Sequence, residues 1–264
     1  MPAPALGPPP LRLVLAGGVA AIFLVLPLAA LVASAPWRRM WTIVGEPEVR
    51  EALWLSLWTS TFAAALCLVL GLPLAWLLAR ADFPGRRLLR ALVTVPLVLP
   101  PVVAGVALLS AFGRHGLVGE PLRHMFGTQI PYTTSAVVLA HTFVAMPFFV
   151  LSLEGALRAT SLRLELAAAS LGADRWTTFR RVTVPLPAPG VAAGLVLAWA
   201  RSLGEFGATI TFAGNYPGTT RTMPLAVYTA LQADRDTAVA LSIVLLAVCV
   251  VVLLALRERW WGVP

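Results

Sequence analysis

Apolar residues run along this chain for lengths that a water-soluble helix does not need. Residues 13–35, 52–79, 91–112, 132–153 and 237–256 contain no Asp, Glu, Lys or Arg, and residues 190–212 form a sixth run with two charges, Arg201 and Glu205. A bilayer core about 30 Å thick is crossed by about 20 apolar helical residues, so each run reads as a span. Lipid offers the backbone no hydrogen-bond partner, which leaves helices or a closed barrel, and the ten-residue alternation of a barrel is missing from the sequence. The pattern predicts an all-α membrane protein with six transmembrane helices, a single domain over residues 1–264. The first run is read as a true span and not a cleaved leader, because it is long and Ala33-Ser34-Ala35 runs directly into Pro36.

The segments between the runs are short. The longest, residues 154–189, is too small for a core of its own but long enough to dock against another protein. Within it Leu162, Leu166 and Ala169 fall on one helical face. Gly172 can end that helix in the left-handed conformation, and Asp174 can cap a second one. Pro185, Pro187 and Pro189 then separate it from the fifth run. The expectation is two short amphipathic helices joined at Gly172. On the residues alone they either lie on lipid or dock on a protein.

Composition narrows the chemistry. Apolar residues make up 59% of the 264 and charged residues 12%, against about 25% in ordinary soluble domains. All 20 basic residues are Arg. With no Lys, the chain has no residue for the phosphates of a P-loop and none for Schiff-base chemistry, so an ATPase site of its own is excluded. The arginines sit between the apolar runs and not in one stripe, which argues against nucleic acid as a partner. With the N-terminus inside, the cytoplasmic segments hold 12 arginines and the outer segments 7, which favours both termini in the cytoplasm. Cys67 and Cys249 lie in apolar runs and read as small hydrophobes. His115, His124 and His141 show no metal-ligand spacing.

Charges inside a span are costly unless paired or wet. Arg201 and Glu205, four residues apart, can pair with each other. Either they form a structural ion pair, or Arg201 lends positive potential to an anion path. Ser202, Thr209 and Thr211 could offer neutral hydrogen bonds to a solute in the path or to their own backbone. Gly204 and Gly207 permit close helix approach. Pro96, Pro100 and Pro101 should kink or break the third span, and broken helices often line cavities in transporters. Spans three and five are therefore the candidate pore walls. His141 reads as an interhelical hydrogen-bond partner.

The Ala167-Ala168, Gly172 and Pro185 spacing resembles the EAA loop of ABC importer permeases: Glu-Ala-Ala, three residues, Gly, nine residues, then Ile-x-Leu-Pro. Val182 and Val184 stand in for the apolar pair. The family Glu falls at Leu166, and Glu165 stands one place early, turned by about 100° on a helix. Thr94–Gly105 (94–105) and Ala200–Ile210 (200–210), with the Gly214-Asn215 loop that follows, resemble helices three and five of molybdate-type permeases. The resemblance covers roughly residues 50–256.

It implies a type I importer permease fold with no cofactor in this chain, ATP and Mg being held by a partner ATPase. The implied partners are cytoplasmic ABC ATPase subunits, an extracytoplasmic oxyanion-binding protein, a second copy of the chain and the lipid of a prokaryotic inner membrane. It implies ATPase coupling through Glu165, Leu166, Ala167, Ala168, Leu171, Gly172, Ala173 and Trp176. The candidate pore or gate residues are Pro100, Pro101, Arg201, Ser202, Glu205, Gly207 and Thr209. The implied substrate is molybdate, with tungstate shared. The alternatives are sulfate or thiosulfate, and outside the family a secondary carrier or channel.

Overall fold

The computed structural model describes residues 10–260. Residues 1–9 and 261–264, the ends of the expected single domain, lie outside the described residues. Within them every regular element is a helix. In chain order these are α1 (Leu11–Ala33), α2 (Met40–Gly45), α3 (Pro47–Arg80), α4 (Arg86–Val98), α5 (Pro101–Phe112), α6 (Gly119–Phe126) and α7 (Thr134–Ala159). They continue with α8 (Leu162–Ser170), α9 (Arg175–Thr178), a π-helical turn (Phe179–Thr183), α10 (Ala188–Leu203), α11 (Gly207–Phe212), α12 (Met223–Ala233) and α13 (Arg235–Trp260).

The apolar runs 13–35, 52–79, 132–153 and 237–256 correspond to α1, α3, α7 and α13, which are long and apolar enough to cross a membrane. The third run is two helices. Pro100 and Pro101 have no N–H to donate, and the residue before a proline avoids the helical region. Leu99 is accordingly extended (φ −67°, ψ 128°), and Pro101 starts α5 at its first position. Pro96, also expected to disturb this span, stays inside α4.

The fifth run is not the continuous helix that its apolarity suggests. It divides into α10 and α11 at Gly204, Glu205 and Phe206, with Phe206 at φ −126°, ψ −55°. The local reason is Glu205. Its Oε1 accepts from the Ala208 N–H at 2.8 Å, which satisfies a first-turn donor of α11 that an uninterrupted helix would have bonded internally.

The packing centres on α7. Cys67, Ala75 and Leu78 of α3, Phe149, Val150 and Leu153 of α7, and Ala198 of α10 form one buried cluster. Phe149 is wedged between two glycines. A Cβ on Gly71 would stand 2.7 Å from its Cδ1 and one on Gly194 3.2 Å from its Cδ2. Small residues let helices close to this distance, and packing, not water exclusion, holds helices together in lipid. A second cluster joins Ala104 and Leu108 of α5, Ala136, Val137, Ala140 and Val144 of α7, and Ala208 and Phe212 of α11. Helix α1 stands apart: it buries no residue.

Candidate functional site

Two regions carry the residues singled out by sequence. The first is the loop after α7. Its two expected helices are present as α8 and α9, and Gly172 between them has φ +86°, the region that L side chains avoid. Asp174 caps α9: the Thr177 N–H donates to its Oδ1 at 2.6 Å, and this bond holds the carboxyl below the usual carboxylate range. Leu166, Ala167, Leu171, Gly172 and Trp176 are exposed, Leu171 at 89% the most prominent, while Ala168 and Ala173 are half-buried. Neither α8 nor α9 has a buried residue. The loop therefore presents an apolar tip with none of the described residues over it.

Glu165 differs from the rest of that group. It faces the membrane helices and pairs with Arg80 at the end of α3, N to O 3.0 Å, the side chains being 16% and 8% exposed. Arg80 Nε donates to the Glu165 Oε1 at 3.1 Å, and its Nη2, the atom 3.0 Å from that oxygen, also donates to the Thr160 carbonyl at 3.1 Å. Close by, Glu154 accepts from Arg90 at 2.5 Å and from Arg158 at 2.8 Å. Arg86, Arg90 and Arg158 all donate to the Leu78 carbonyl near the end of α3. Cations are favoured at a helix C-terminus, where carbonyls lack partners. Sequence reasoning counted these arginines only as topology markers. The signal it passed over is Glu154 and Arg158, an i,i+4 pair at the end of an apolar run.

The second region is the pair of helix breaks. They meet. A Cβ on Gly207 would lie 2.6 Å from the Pro101 Cβ, and one on Gly105 would lie 2.5 Å from the Thr211 Cβ. Of the candidate pore residues, Pro101 and Gly207 are thus in direct apposition, and Pro100 is exposed beside them. Arg201 and Glu205 form the expected pair, Nη1 to Oε2 2.8 Å, with Glu205 1% and Arg201 29% exposed. Since Glu205 also caps α11, the pair has a structural task at the break. Ser202 donates to its own backbone at Trp199, whereas the buried Thr209 hydroxyl has no partner among the described residues. His141 is buried but is not the interhelical hydrogen-bond partner expected: neither ring nitrogen meets a partner among the described residues. Among the described residues no group of three or more His, Cys, Asp or Glu could hold a metal.

Residues 68–259 match the family described as "Binding-protein-dependent transport system inner membrane component". The molybdenum transport system permease protein ModB of Mycobacterium bovis is 49% identical over 238 residues, 90% of each chain. The sulfate transport system permease protein CysT of Escherichia coli is 38% identical over 240 residues, 89% of this chain and 86% of that one. Among solved structures, a bacterial alginate ABC transporter in complex with an alginate-bound periplasmic protein superposes with a TM-score of 0.74. At 18% identity, covering 95% of both chains, it speaks for the fold. The exposed Gly172-jointed loop and the paired helix breaks thus belong to a member of the binding-protein-dependent transport system inner membrane component family.

Proposed function

We propose that this chain is the membrane subunit of an ATP-driven importer of molybdate, tungstate being accepted with it. The observation that carries the reading is the 49% identity to a molybdenum transport permease across 90% of both chains, which includes the docking loop and both helix breaks. The sulfate permease, at 38%, is the more distant relative. The chain crosses the inner membrane six times with both termini in the cytoplasm, the third and fifth crossings being the broken pairs α4–α5 and α10–α11.

The working unit is two copies of the chain, two cytoplasmic ATPase subunits and an extracytoplasmic oxyanion-binding protein. ATP binding and hydrolysis occur on the ATPases, and this chain is not itself an enzyme. Leu166, Leu171 and Trp176 supply the apolar contact for an ATPase groove. Closure of the ATPases draws the two loops together. The membrane helices then open the path outward for the anion, and hydrolysis resets them. Selection between tetrahedral dianions falls mainly on the binding protein. Arg201, neutralised by Glu205, gives the path little net charge to trap a dianion on its way through.

The test is uptake of radioactive molybdate by cells lacking their own system and supplied with permease, ATPase and binding protein. Uptake that needs all three and is blocked by unlabelled tungstate, not by excess sulfate, supports the reading. Equal competition by sulfate places the chain on the sulfate branch. Uptake without the ATPase overturns the coupled mechanism.

A further inference from the structure

Helix α8 hangs from the rest of the molecule by very little. It buries no side chain, and a cavity of about 630 Å³ lies between it, α9, the π turn and α3, lined by Pro73, Trp76, Ala169, Trp176 and Phe179 among others. With only Glu165 and Ala168 partly buried, α8 has little packing through which to push the bundle. Among the described residues, two side-chain links bridge that cavity to α3. Trp76 of α3 meets Phe179 edge-on, ring centroids 5.9 Å apart. Arg80 of α3 is forked between Glu165 in the first turn of α8 and the Thr160 carbonyl at the end of α7. Only the second reaches α8 itself. Arg80 is at the same time the last residue of α3, whose neighbouring carbonyl at Leu78 is held by Arg86, Arg90 and Arg158. One ion pair therefore leads from the docking loop into a cluster that binds α3, α4 and α7 together.

We infer that Arg80 and Glu165 are a positioning pair that carries displacement of the docking helix into the membrane bundle. The inference rests on the proposed function and names the residues through which coupling passes. It also accounts for the displaced glutamate. Turned inward at position 165, the carboxylate serves as the anchor to α3, and the outward position 166 is left to Leu for an apolar contact. A planar guanidinium suits the task, because its fork fixes direction as well as distance.

The experiment reconstitutes the whole importer, permease with its ATPase and binding protein, in proteoliposomes. Molybdate uptake and ATP hydrolysis are measured on the same preparation. The variants are Glu165→Ala, Glu165→Gln and, on the same helix, the exposed Arg163→Ala as control. Both positions lie in the loop, and because Glu165→Ala leaves the buried Arg80 guanidinium without its carboxylate, the melting temperature of each variant is measured on the same preparation. Molybdate transported per ATP is expected to fall by about fivefold or more in Glu165→Ala, the low end of ordinary coupling between sites. Glu165→Gln, which keeps an acceptor oxygen, should fall between it and wild type. Co-purification of the ATPase should be unchanged.

An unchanged ratio in Glu165→Ala, or a fall no larger than that of Arg163→Ala, overturns the inference. So does loss of ATPase co-purification, which would make Glu165 a docking residue. If the wild-type assembly itself shows no ATP-dependent uptake, it is the proposed function that has failed.

Discussion

Gly207 and Gly204 lie three residues apart around the break in the fifth run, and alanine should affect them very differently. At Gly207 the added methyl carbon would stand 2.6 Å from the Pro101 Cβ and 3.3 Å from both the Pro101 carbonyl carbon and the Val102 nitrogen. Carbon atoms pack at about 3.5–4.0 Å, so the nearest contact is short by roughly 1 Å. The offending atom belongs to a proline ring and has no rotamer to escape into. Relief requires α5 and α11 to separate. Overpacking of this kind costs about 1–3 kcal/mol, and here it falls on the junction of the two broken helices. At Gly204 the nearest atom to a new Cβ is the Ala200 carbonyl oxygen at 3.8 Å, and its φ of −88° suits any residue. Gly207→Ala should therefore lower the melting temperature of the detergent-solubilised permease by several degrees and reduce molybdate uptake in whole cells. Gly204→Ala should match wild type in both. Equal behaviour of the two variants would refute the claim that the breaks are pressed together.

Three further outcomes follow from the same geometry. Glu205→Gln removes the charge that neutralises Arg201 but keeps an acceptor for Ala208. With Arg201 only 29% exposed, the loss should cost about 3 kcal/mol, and Arg201→Met in the same chain should restore much of it, as read by thermal melting. Leu171→Asp places a charge where an apolar side chain is 89% exposed. It should leave the permease's own melting unchanged and weaken ATPase co-purification by about tenfold or more, since burying a Leu is worth about 1.5–3 kcal/mol. The Asp174 carboxyl is depressed by the Thr177 N–H it accepts, so the stabilisation of α9 is complete above the ordinary carboxylate range and lost as pH falls through the depressed value. The protection of the Thr177 amide, its exchange rate measured against the intrinsic rate at the same pH, should fall only in that acidic window, and Asp174→Ala should leave protection low and independent of pH.

The lengths and places of the helices were legible because lipid imposes one rule. Uncharged runs long enough to cross became α1, α3, α7 and α13, and the double proline marked the break in the third run. The break in the fifth was hidden. Gly204 and Gly207 are tolerated within spans, and Glu205 reads as one half of an i,i+4 pair. Its second task, accepting the Ala208 N–H, exists only once the chain has turned. The short helices α2, α6 and α12 were missed for a related reason. They are too short or too polar to give a span signal, and they form where the long helices leave them room.

The docking loop shows how far spacing carries an argument and where it stops. Gly172 is required by backbone geometry, Asp174 by the first-turn donors of α9, and the prolines by their missing N–H groups. Each of those constraints is local, and each was readable. What Glu165 does is not local. Position 165 and position 166 are both on an exposed helix, and a pattern alone cannot say which of the two looks back at the bundle. The answer depends on Arg80, 85 residues earlier. A glutamate one place from its family position reads in the sequence as a motif eroded. On the coupling we propose, Arg80 makes it a motif whose two duties, gripping the bundle and meeting the ATPase, are divided between neighbouring residues. The charge faces in, where the Arg80 guanidinium is placed to pair with it. The Leu faces out, where apolar area is what an interface can use.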